Sequence, residues 1–230
     1  MIDTIICGDC LEVMEEIPTG SIDAIIIDPP YSSGGRRDAN KSVRVSKRRG
    51  VDDVTWYSAD NLSTNSFIWF MRACGSRFFR VLKEDGHLLS FIDWRMMSNL
   101  SAALESVGFK QINLLVWDKT YFGMGRYFRN QHEFIAHFLR NASPKPIRQD
   151  VGNVFSIAPV RHGAHPSEKP TLLLEKLISV ITNEGDTVFD CFAGSGTTAV
   201  ACKRSNRHYI CVEKEPEYCA IAEKRIAEIL

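Results

Sequence analysis

The sequence predicts an α/β protein: a mostly parallel sheet with helices on both faces. Short apolar segments alternate with segments of helical periodicity along almost the whole chain, and this alternation is typical of strand–helix–strand units. The chain has 230 residues, of which 44% are hydrophobic and 24% are charged, so it can bury a core of ordinary size. We therefore expect residues 1–230 to form a single domain.

Seven apolar segments are predicted to be the strands of this sheet. In chain order they are TIICGD, AIIIDP, HLLSFID, INLLVWD, FIAHFL, TVFDCF and HYICVE. The fourth and fifth are joined by YFGMGRYFRNQ, an aromatic and basic connection without helical periodicity. Such a connection suits an antiparallel pair, whereas parallel neighbours need a longer crossover, usually a helix. The prediction is a seven-stranded sheet with one antiparallel strand.

Five helices are predicted between and after these strands. They cover residues 67–82, 97–107 and 171–182, a segment that starts after Gly196, and residues 217–230. Gly86 and Gly108 are expected to end the first two, because a glycine often closes a helix.

The composition argues against several classes of protein. Lys plus Arg and Asp plus Glu number 28 each, so a surface for a polyanion must come from local clustering. The seven cysteines are scattered, and the lone CxxC of Cys7 and Cys10 has no second pair, so we predict neither a disulfide framework nor a metal site. The first residues lack the pattern of a signal peptide, and no apolar run reaches the ~20 residues of a membrane span. We expect a cytoplasmic protein without membrane contact, from a bacterium or a phage.

A glycine loop near the C-terminus predicts a ligand that resembles a nucleotide. In DTVFDCFAGSGTTAVACKRSNRHYICVEKE, a strand ends at Asp190, a helix follows Gly194 and Gly196, and the next strand ends at Glu213. Glycines let the backbone turn tightly and approach a ligand, and a helix start offers free amides. An acid that ends the next strand is well placed to accept hydrogen bonds from a ribose diol.

This loop by itself leaves three interpretations open. GSGTTA fits the dinucleotide fingerprint, which makes a nicotinamide-dependent oxidoreductase a rival function. A phosphate-binding P-loop is weaker because no Lys precedes Thr197 or Thr198, and a tight turn without a ligand is the third. Asp190 and Glu213 place two carboxylates around the glycines, which suits an amino group and a ribose better than a pyrophosphate. Little chain remains after Glu213 for a second nucleotide-binding half.

A second motif, IIIDPPY at residues 25–31, ends a buried strand with a carboxylate, two prolines and an aromatic ring. Alone, it fits equally well a strand that ends in a proline turn. Two consecutive prolines stiffen the backbone and remove N–H donors, so a carbonyl there can be held in a fixed direction.

A basic segment, residues 32–66, follows this motif and is predicted to be a mobile loop. Its bases are Arg36, Arg37, Lys41, Arg44, Lys47, Arg48 and Arg49, and Asp38 is the one acid among them before Asp52. Such a charge run is either a solvated surface or a surface for phosphates. Its position directly after DPPY favours phosphates.

Together, DPPY and FAGSGTT in this order resemble the beta class of S-adenosylmethionine-dependent DNA amino-methyltransferases. The resemblance also includes GDCLEVM at the N-terminus, HPSEKP at residues 165–170 and the VE that follows the loop. It implies a Rossmann-like methyltransferase fold and methyl transfer to an exocyclic amine of a DNA base. The Asp of DPPY favours adenine N6, and cytosine N4 remains the alternative. A catalytically idle DNA-binding module would need a damaged motif, and both motifs are intact.

The resemblance also implies roles for individual residues. Asp28 and the Pro29 carbonyl accept the two N–H groups of the amine, Pro30 stiffens the turn, and Tyr31 stacks on the base. The target base must be flipped out of the duplex or already single-stranded. In-line transfer from S-adenosylmethionine then yields S-adenosylhomocysteine without a covalent enzyme intermediate.

The remaining expected contacts fall into two sets. Cofactor neighbours are Asp9, Cys10, Asp28, His165, Ser167, Lys169, Asp190, Phe192, Ala193, Gly194, Ser195, Gly196, Thr197, Thr198, Glu213 and Lys214. Candidate DNA contacts are Arg36, Arg37, Lys47, Arg48, Arg49, Lys119, Arg126 and Arg129. Residues 119–131 and 140–164 are candidate target-recognition segments, and Trp117 lies beside the base pocket or in the core. The expected partners are DNA, a second copy in a homodimer, and a cognate restriction endonuclease.

Overall fold

The computed structural model describes residues 2–30, 62–123, 127–141, 146–160, 163–164 and 167–229. In these ranges, eight strands form one sheet in the order β1-β8-β7-β2-β3-β5-β4-β6. The strands are β1 Thr4–Cys7, β2 Ile22–Ile27, β3 Leu82–Ile92, β4 Lys110–Asp118, β5 His132–Leu139, β6 Val154–Ser156, β7 Thr187–Asp190 and β8 His208–Glu213. No described helix is long and apolar enough to cross a membrane.

The predicted pairing is confirmed, but the predicted number of strands is wrong by one. β5 runs antiparallel to both of its neighbours, β3 and β4, and every other pairing is parallel. The additional strand is β6, which pairs in parallel with the end of β4. It has only three residues, too few for a period to stand out in the sequence. It lies inside the predicted recognition segment 140–164.

Six helices are described beside the sheet. They are α1 Cys10–Glu16, α2 Thr64–Val81, α3 Met97–Glu105, α4 Thr171–Ile181, α5 Thr197–Arg204 and α6 Pro216–Ala227. The five predicted helices are confirmed to within a few residues at each end, and α1 was not predicted. Its start carries a recognisable signal, because the Asp9 side chain accepts from Leu11 N at 2.9 Å and caps the helix.

Two boundaries around α2 differ from the prediction. The helix begins at Thr64, with Ser63 as its cap, so residues 64–66 of the segment predicted as a loop are helical, and residues 32–61 lie outside the described residues. Gly86 does not end the helix, because α2 gives way to β3 at Leu82 and Gly86 lies inside that strand. A Cβ on Gly86 would lie 2.5 Å from Leu82 Cγ. Gly108 has a φ of +112° and follows α3 as expected.

The sheet separates two cores, one on each face. The larger core packs α1, α2 and α3 against the sheet, and the other packs α4 and α5 against the opposite face. β2 and β7 are neighbours at the centre, in the register Ala24↔Val188 and Ile25↔Phe189. The chain leaves β2 through α2 toward β3, and it leaves β7 through α5 toward β8 on the other side. Ligands bind at such a switch point, outside the carboxyl ends of the strands.

Candidate active site

A cleft lies at this switch point, where open α/β sheets bind their ligands. It brings together residues of three stretches that the sequence singled out, DPPY, HPSEKP and the glycine loop with the strand before it. Its polar lining consists of Asp28, Ser167, Glu168, Lys169, Asp190, Ser195, Thr197 and Thr198. Ala193 also lines the cleft, beside apolar side chains of β2, β3 and α4.

The glycine loop adopts the tight turn that its sequence predicts. Gly194 and Gly196 have φ values of +51° and +80°, a region that glycine enters without steric cost. Gly196 donates from its N–H to the Ala193 carbonyl at 2.8 Å and begins α5. A Cβ on Gly196 would lie 2.6 Å from Ala222 Cβ of α6. The loop is therefore pressed against α6, and a larger residue has no room there.

Glu213, at the end of β8, is hydrogen-bonded to the glycine loop. One of its carboxylate oxygens accepts from Gly194 N at 2.8 Å, and the other accepts from Glu215 N at 2.9 Å.

The pairing of β1 with β8 brings Asp9 and Lys214 to the same end of the sheet, where their side chains form an exposed ion pair at 3.5 Å. Cys10 is buried behind them. Phe192 is half-buried against Phe70, with ring centroids 5.8 Å apart.

Asp190 ends β7 and is 5% exposed. Its carboxylate accepts from Thr198 Oγ1 at 2.5 Å and from Phe192 N at 3.0 Å. Burial raises the pKa of Asp190 to about 7, despite the two hydrogen bonds, and the charges of Asp28 and Glu213 act in the same direction. The floor of the cleft is therefore acidic, and it favours a ligand that carries positive charge.

Asp28 lies at the rim of the cleft, one residue beyond β2, with Pro29 buried beside it. Its carboxylate receives the Lys169 ammonium at 2.5 Å. The same ammonium lies 3.5 Å from Glu133 of β5, and the other oxygen of Glu133 accepts from Lys119. The sequence singled out Lys169 only as a cofactor neighbour. It did not single out Glu133, which in the sequence is one polar residue of a predicted strand.

A second set of contacts holds the glycine loop to HPSEKP and was also missed. Arg225 of α6 donates to the Ser195 carbonyl at 2.7 Å and to Glu168 at 2.8 Å. Glu168 also accepts from Ser195 Oγ at 3.2 Å and from Ala164 N at 2.9 Å. These contacts fix the loop over the cleft from three chain segments.

The candidate DNA contacts are only partly described. Lys119 lies against the ring of Trp117, which is buried and donates to the Ile157 carbonyl at 2.7 Å. Arg129 donates to the Gly123 carbonyl at 2.6 Å and lies over the Phe122 ring at 4.3 Å. Tyr31, Arg36, Arg37, Lys47, Arg48, Arg49, Arg126 and His165 lie outside the described residues. Within the described ranges, no group of three or more His, Cys, Asp and Glu side chains could hold a metal ion.

Comparisons with known proteins identify the family. The DNA methylase family model, N6_N4_Mtase, matches residues 22–224. The putative methylase YubD of Escherichia coli K12 is 33% identical over 226 residues, which cover 96% of this chain and 89% of YubD. The type II methyltransferase M2.LlaDCHI of Lactococcus lactis subsp. cremoris is 28% identical over 241 residues, 95% of this chain and 87% of the relative.

The solved structures agree with this assignment. The crystal structure of the M1.HpyAVI–SAM complex matches with a TM-score of 0.69 and 26% identity, over 96% of this chain and 98% of that one. The match to the family model decides against the nicotinamide-dependent oxidoreductase. The chain thus belongs to the N6_N4_Mtase family of DNA methylases, the amino-methyltransferases of the beta class that its two motifs resemble.

Proposed function

We propose that this protein transfers a methyl group from S-adenosylmethionine to the N6 amine of adenine in DNA. The observation that supports this most directly is the position of Asp28 and Pro29, at the rim of a cleft shared with the glycine loop. The base would approach this rim while the cofactor occupies the cleft. Adenine, rather than cytosine N4, is favoured by the Asp that begins DPPY.

The proposed chemistry requires no covalent enzyme intermediate. The adenine amine is a poor nucleophile, because its lone pair is delocalised into the ring. Asp28 and the Pro29 carbonyl accept its two N–H groups and favour a pyramidal nitrogen whose lone pair points at the methyl carbon. Bound S-adenosylmethionine would supply the electrophilic methyl group and would leave as S-adenosylhomocysteine, with the pair of the broken C–S bond on sulfur. The nitrogen then loses one proton, for which Asp28 is the adjacent acceptor.

The methyl donor is S-adenosylmethionine, and the cleft suits its charges. Asp190 and Asp28 provide acidic surroundings for the sulfonium and the amino group, and the glycine loop brings backbone close to the ligand. Glu213 is the acid assigned to the ribose. Its hydrogen bond to Gly194 N would hold the loop and the ribose acceptor in one unit.

The reaction is tested by expressing the protein in a bacterial host without adenine methylation and sequencing modified bases across the genome. N6-methyladenine should appear in the host DNA and should be absent when Asp28→Ala is expressed. If N4-methylcytosine appears instead, the methylated position is cytosine N4 and the proposal of adenine N6 is wrong. Unmodified DNA from cells whose purified protein binds S-adenosylhomocysteine would overturn the proposed reaction.

The same experiment tests a prediction about the recognition site, which we expect to contain about two to four base pairs or to show only a weak context preference. Reading one base pair well takes a bidentate side chain, and the candidate segments are short. Arg148 is engaged with Asp150 at 2.7 Å, and Arg140 lies over the Phe79 ring at 5.0 Å. Asn153 donates to the Leu114 carbonyl at 3.3 Å. A strict site of six or more base pairs, read without a partner subunit, would contradict this prediction.

A homodimer and a cognate restriction endonuclease are proposed as further partners.

Cofactor binding is predicted to strengthen as the pH rises from 6 to 8. The pKa of Asp190 is about 7, and a cation bound beside it favours the ionised carboxylate. Below pH 7 binding must therefore release a proton, so affinity for S-adenosylmethionine should rise about tenfold across this interval. Calorimetry in two buffers of different ionisation enthalpy measures the affinity and the proton together. Asp190→Asn should flatten the pH dependence, and a flat wild-type profile would contradict the assignment.

A further inference from the structure

Four side chains form a line of alternating charge that ends at Asp28. In order they are Lys119, Glu133, Lys169 and Asp28, and we call them the charge line. Lys119 pairs with one oxygen of Glu133, Lys169 lies 3.5 Å from the other, and Lys169 reaches Asp28 at 2.5 Å. They come from the ends of β2, β4 and β5 and from the segment before α4.

The inner members of the charge line are buried, which distinguishes it from ordinary surface ion pairs. The side chains of Lys169 and Glu133 are 10% and 16% exposed. Burial alone would lower the pKa of Lys169, but the charges of Asp28 and Glu133 reverse this and raise it. Burial would likewise raise the pKa of Glu133, but the two lysines outweigh it and lower the pKa. Both groups therefore stay ionised at neutral pH, and each depends on its partners because a lone buried charge is costly.

We propose that Lys169 and Glu133 are positioning residues for methyl transfer: Lys169 keeps Asp28 ionised and oriented, and Glu133 shares the ammonium so that Asp28 keeps its strength as an acceptor. This inference rests on the proposed role of Asp28.

The charges around Asp28 explain why an ammonium is needed. Asp190 and Glu133 are the acidic residues near Asp28, and Glu213 lies farther along the same edge of the sheet. A further acid, Glu168, is paired with Arg225. The Lys169 ammonium contacts Asp28 directly. Without this charge, the neighbouring carboxylates would weigh more heavily against the ionised form of Asp28. A protonated carboxyl donates one hydrogen bond where the amine needs an acceptor.

Glu133 has the complementary task. If the ammonium were paired with Asp28 alone, it would weaken the carboxylate as a hydrogen-bond acceptor. It would also compete with the N–H of the base for the same carboxylate oxygens. A second carboxylate on the far side of Lys169 reduces this competition. Lys119 neutralises Glu133 and belongs to the β4–β5 connection, so the charge line also joins a candidate recognition segment to the catalytic rim.

Lys169→Met tests the first half of the proposal while keeping most of the side-chain volume. On the acid side of the wild-type rate profile we expect kcat to fall about tenfold or more, with activity returning as the pH rises. The acid side of the rate profile should move up by about one pH unit or more. Lys169→Arg keeps the charge and should keep the wild-type profile. If Lys169→Met weakens cofactor binding and leaves the pH profile of kcat unchanged, Lys169 is a cofactor contact and the proposal is wrong.

Glu133→Gln tests the second half and is nearly isosteric. It should lower kcat several-fold at every pH without moving the acid side of the profile upward. In Lys169→Met/Glu133→Gln, one neighbouring carboxylate is gone, so the acid side should move back toward the wild type. A double variant whose profile equals that of Lys169→Met would remove Glu133 from the proposal.

Lys83→Met is the matched control. Lys83 forms an ion pair of the same length, 2.5 Å, with Asp23 at the opposite end of β2. Its loss should leave kcat and the pH profile unchanged, and a shifted profile would show a general charge effect that contradicts the proposal. Because wild-type methylation is measured first, failure of the proposed function is distinguished from failure of this inference.

Discussion

Asp28→Ala is expected to lower kcat by ~10² or more, because it removes an acceptor that acts mainly as charge develops on the amine. Cofactor affinity should change far less, since the glycine loop, Asp190 and Glu213 remain in place. Single-turnover methylation measures the chemical step, and calorimetry with S-adenosylhomocysteine measures binding.

Asp23→Ala is the control for this prediction. Asp23 lies near the start of the same strand, pairs with Lys83 and accepts from Thr187 N at 3.0 Å. Its loss should reduce stability and leave kcat nearly unchanged. A near-normal methylation rate in Asp28→Ala would refute the mechanism.

Gly196→Ala is expected to have the second large effect, the loss of cofactor binding. A residue with a Cβ is strained at the observed φ of +80°, and this Cβ would lie 2.6 Å from Ala222 Cβ. Strain of about 1–3 kcal/mol and a further 1–3 kcal/mol for overpacking would both act on the loop. We expect affinity for S-adenosylhomocysteine to fall more than tenfold and the melting temperature to fall with it.

Gly185→Ala is the control for backbone strain outside the glycine loop. Gly185 has a φ of +84°, but nothing lies within 4 Å of its added Cβ. This variant should therefore lose stability through backbone strain alone and bind the cofactor normally. Equal affinities for the two variants would contradict the prediction for Gly196.

The parts of the fold that the sequence predicted carry strong local signals. β2, with its run of isoleucines, and α4, with its apolar periodicity, depend little on their surroundings. β6 forms by pairing with the end of β4. No local sequence pattern predicts this contact. DPPY and the glycine loop could be found because both keep their residues close together in sequence.

The charge line could not be predicted in the same way. Glu133 and Asp28 come together through the pairing of β3 with β2 and β5, and nothing near Glu133 in sequence indicates which buried charge it meets. Lys169 was placed near the cleft through HPSEKP, but its contact with Asp28 follows from the tertiary structure alone.

The register of β2 and β7 sets the spacing between Asp28 and Asp190 along the strands. Ala24 lies opposite Val188, so Asp190 is level with Ile26, and Asp28 stands two residues farther out. At about 3.3 Å per residue, this stagger is roughly 6–7 Å along the strands. In the proposed mechanism, this stagger sets how far the acceptor at Asp28 lies beyond Asp190. A slip of one residue would change it by about 3.3 Å, far beyond what in-line transfer tolerates. Under this proposal, the backbone pairing of two central strands determines the spacing of the side chains that carry out the reaction.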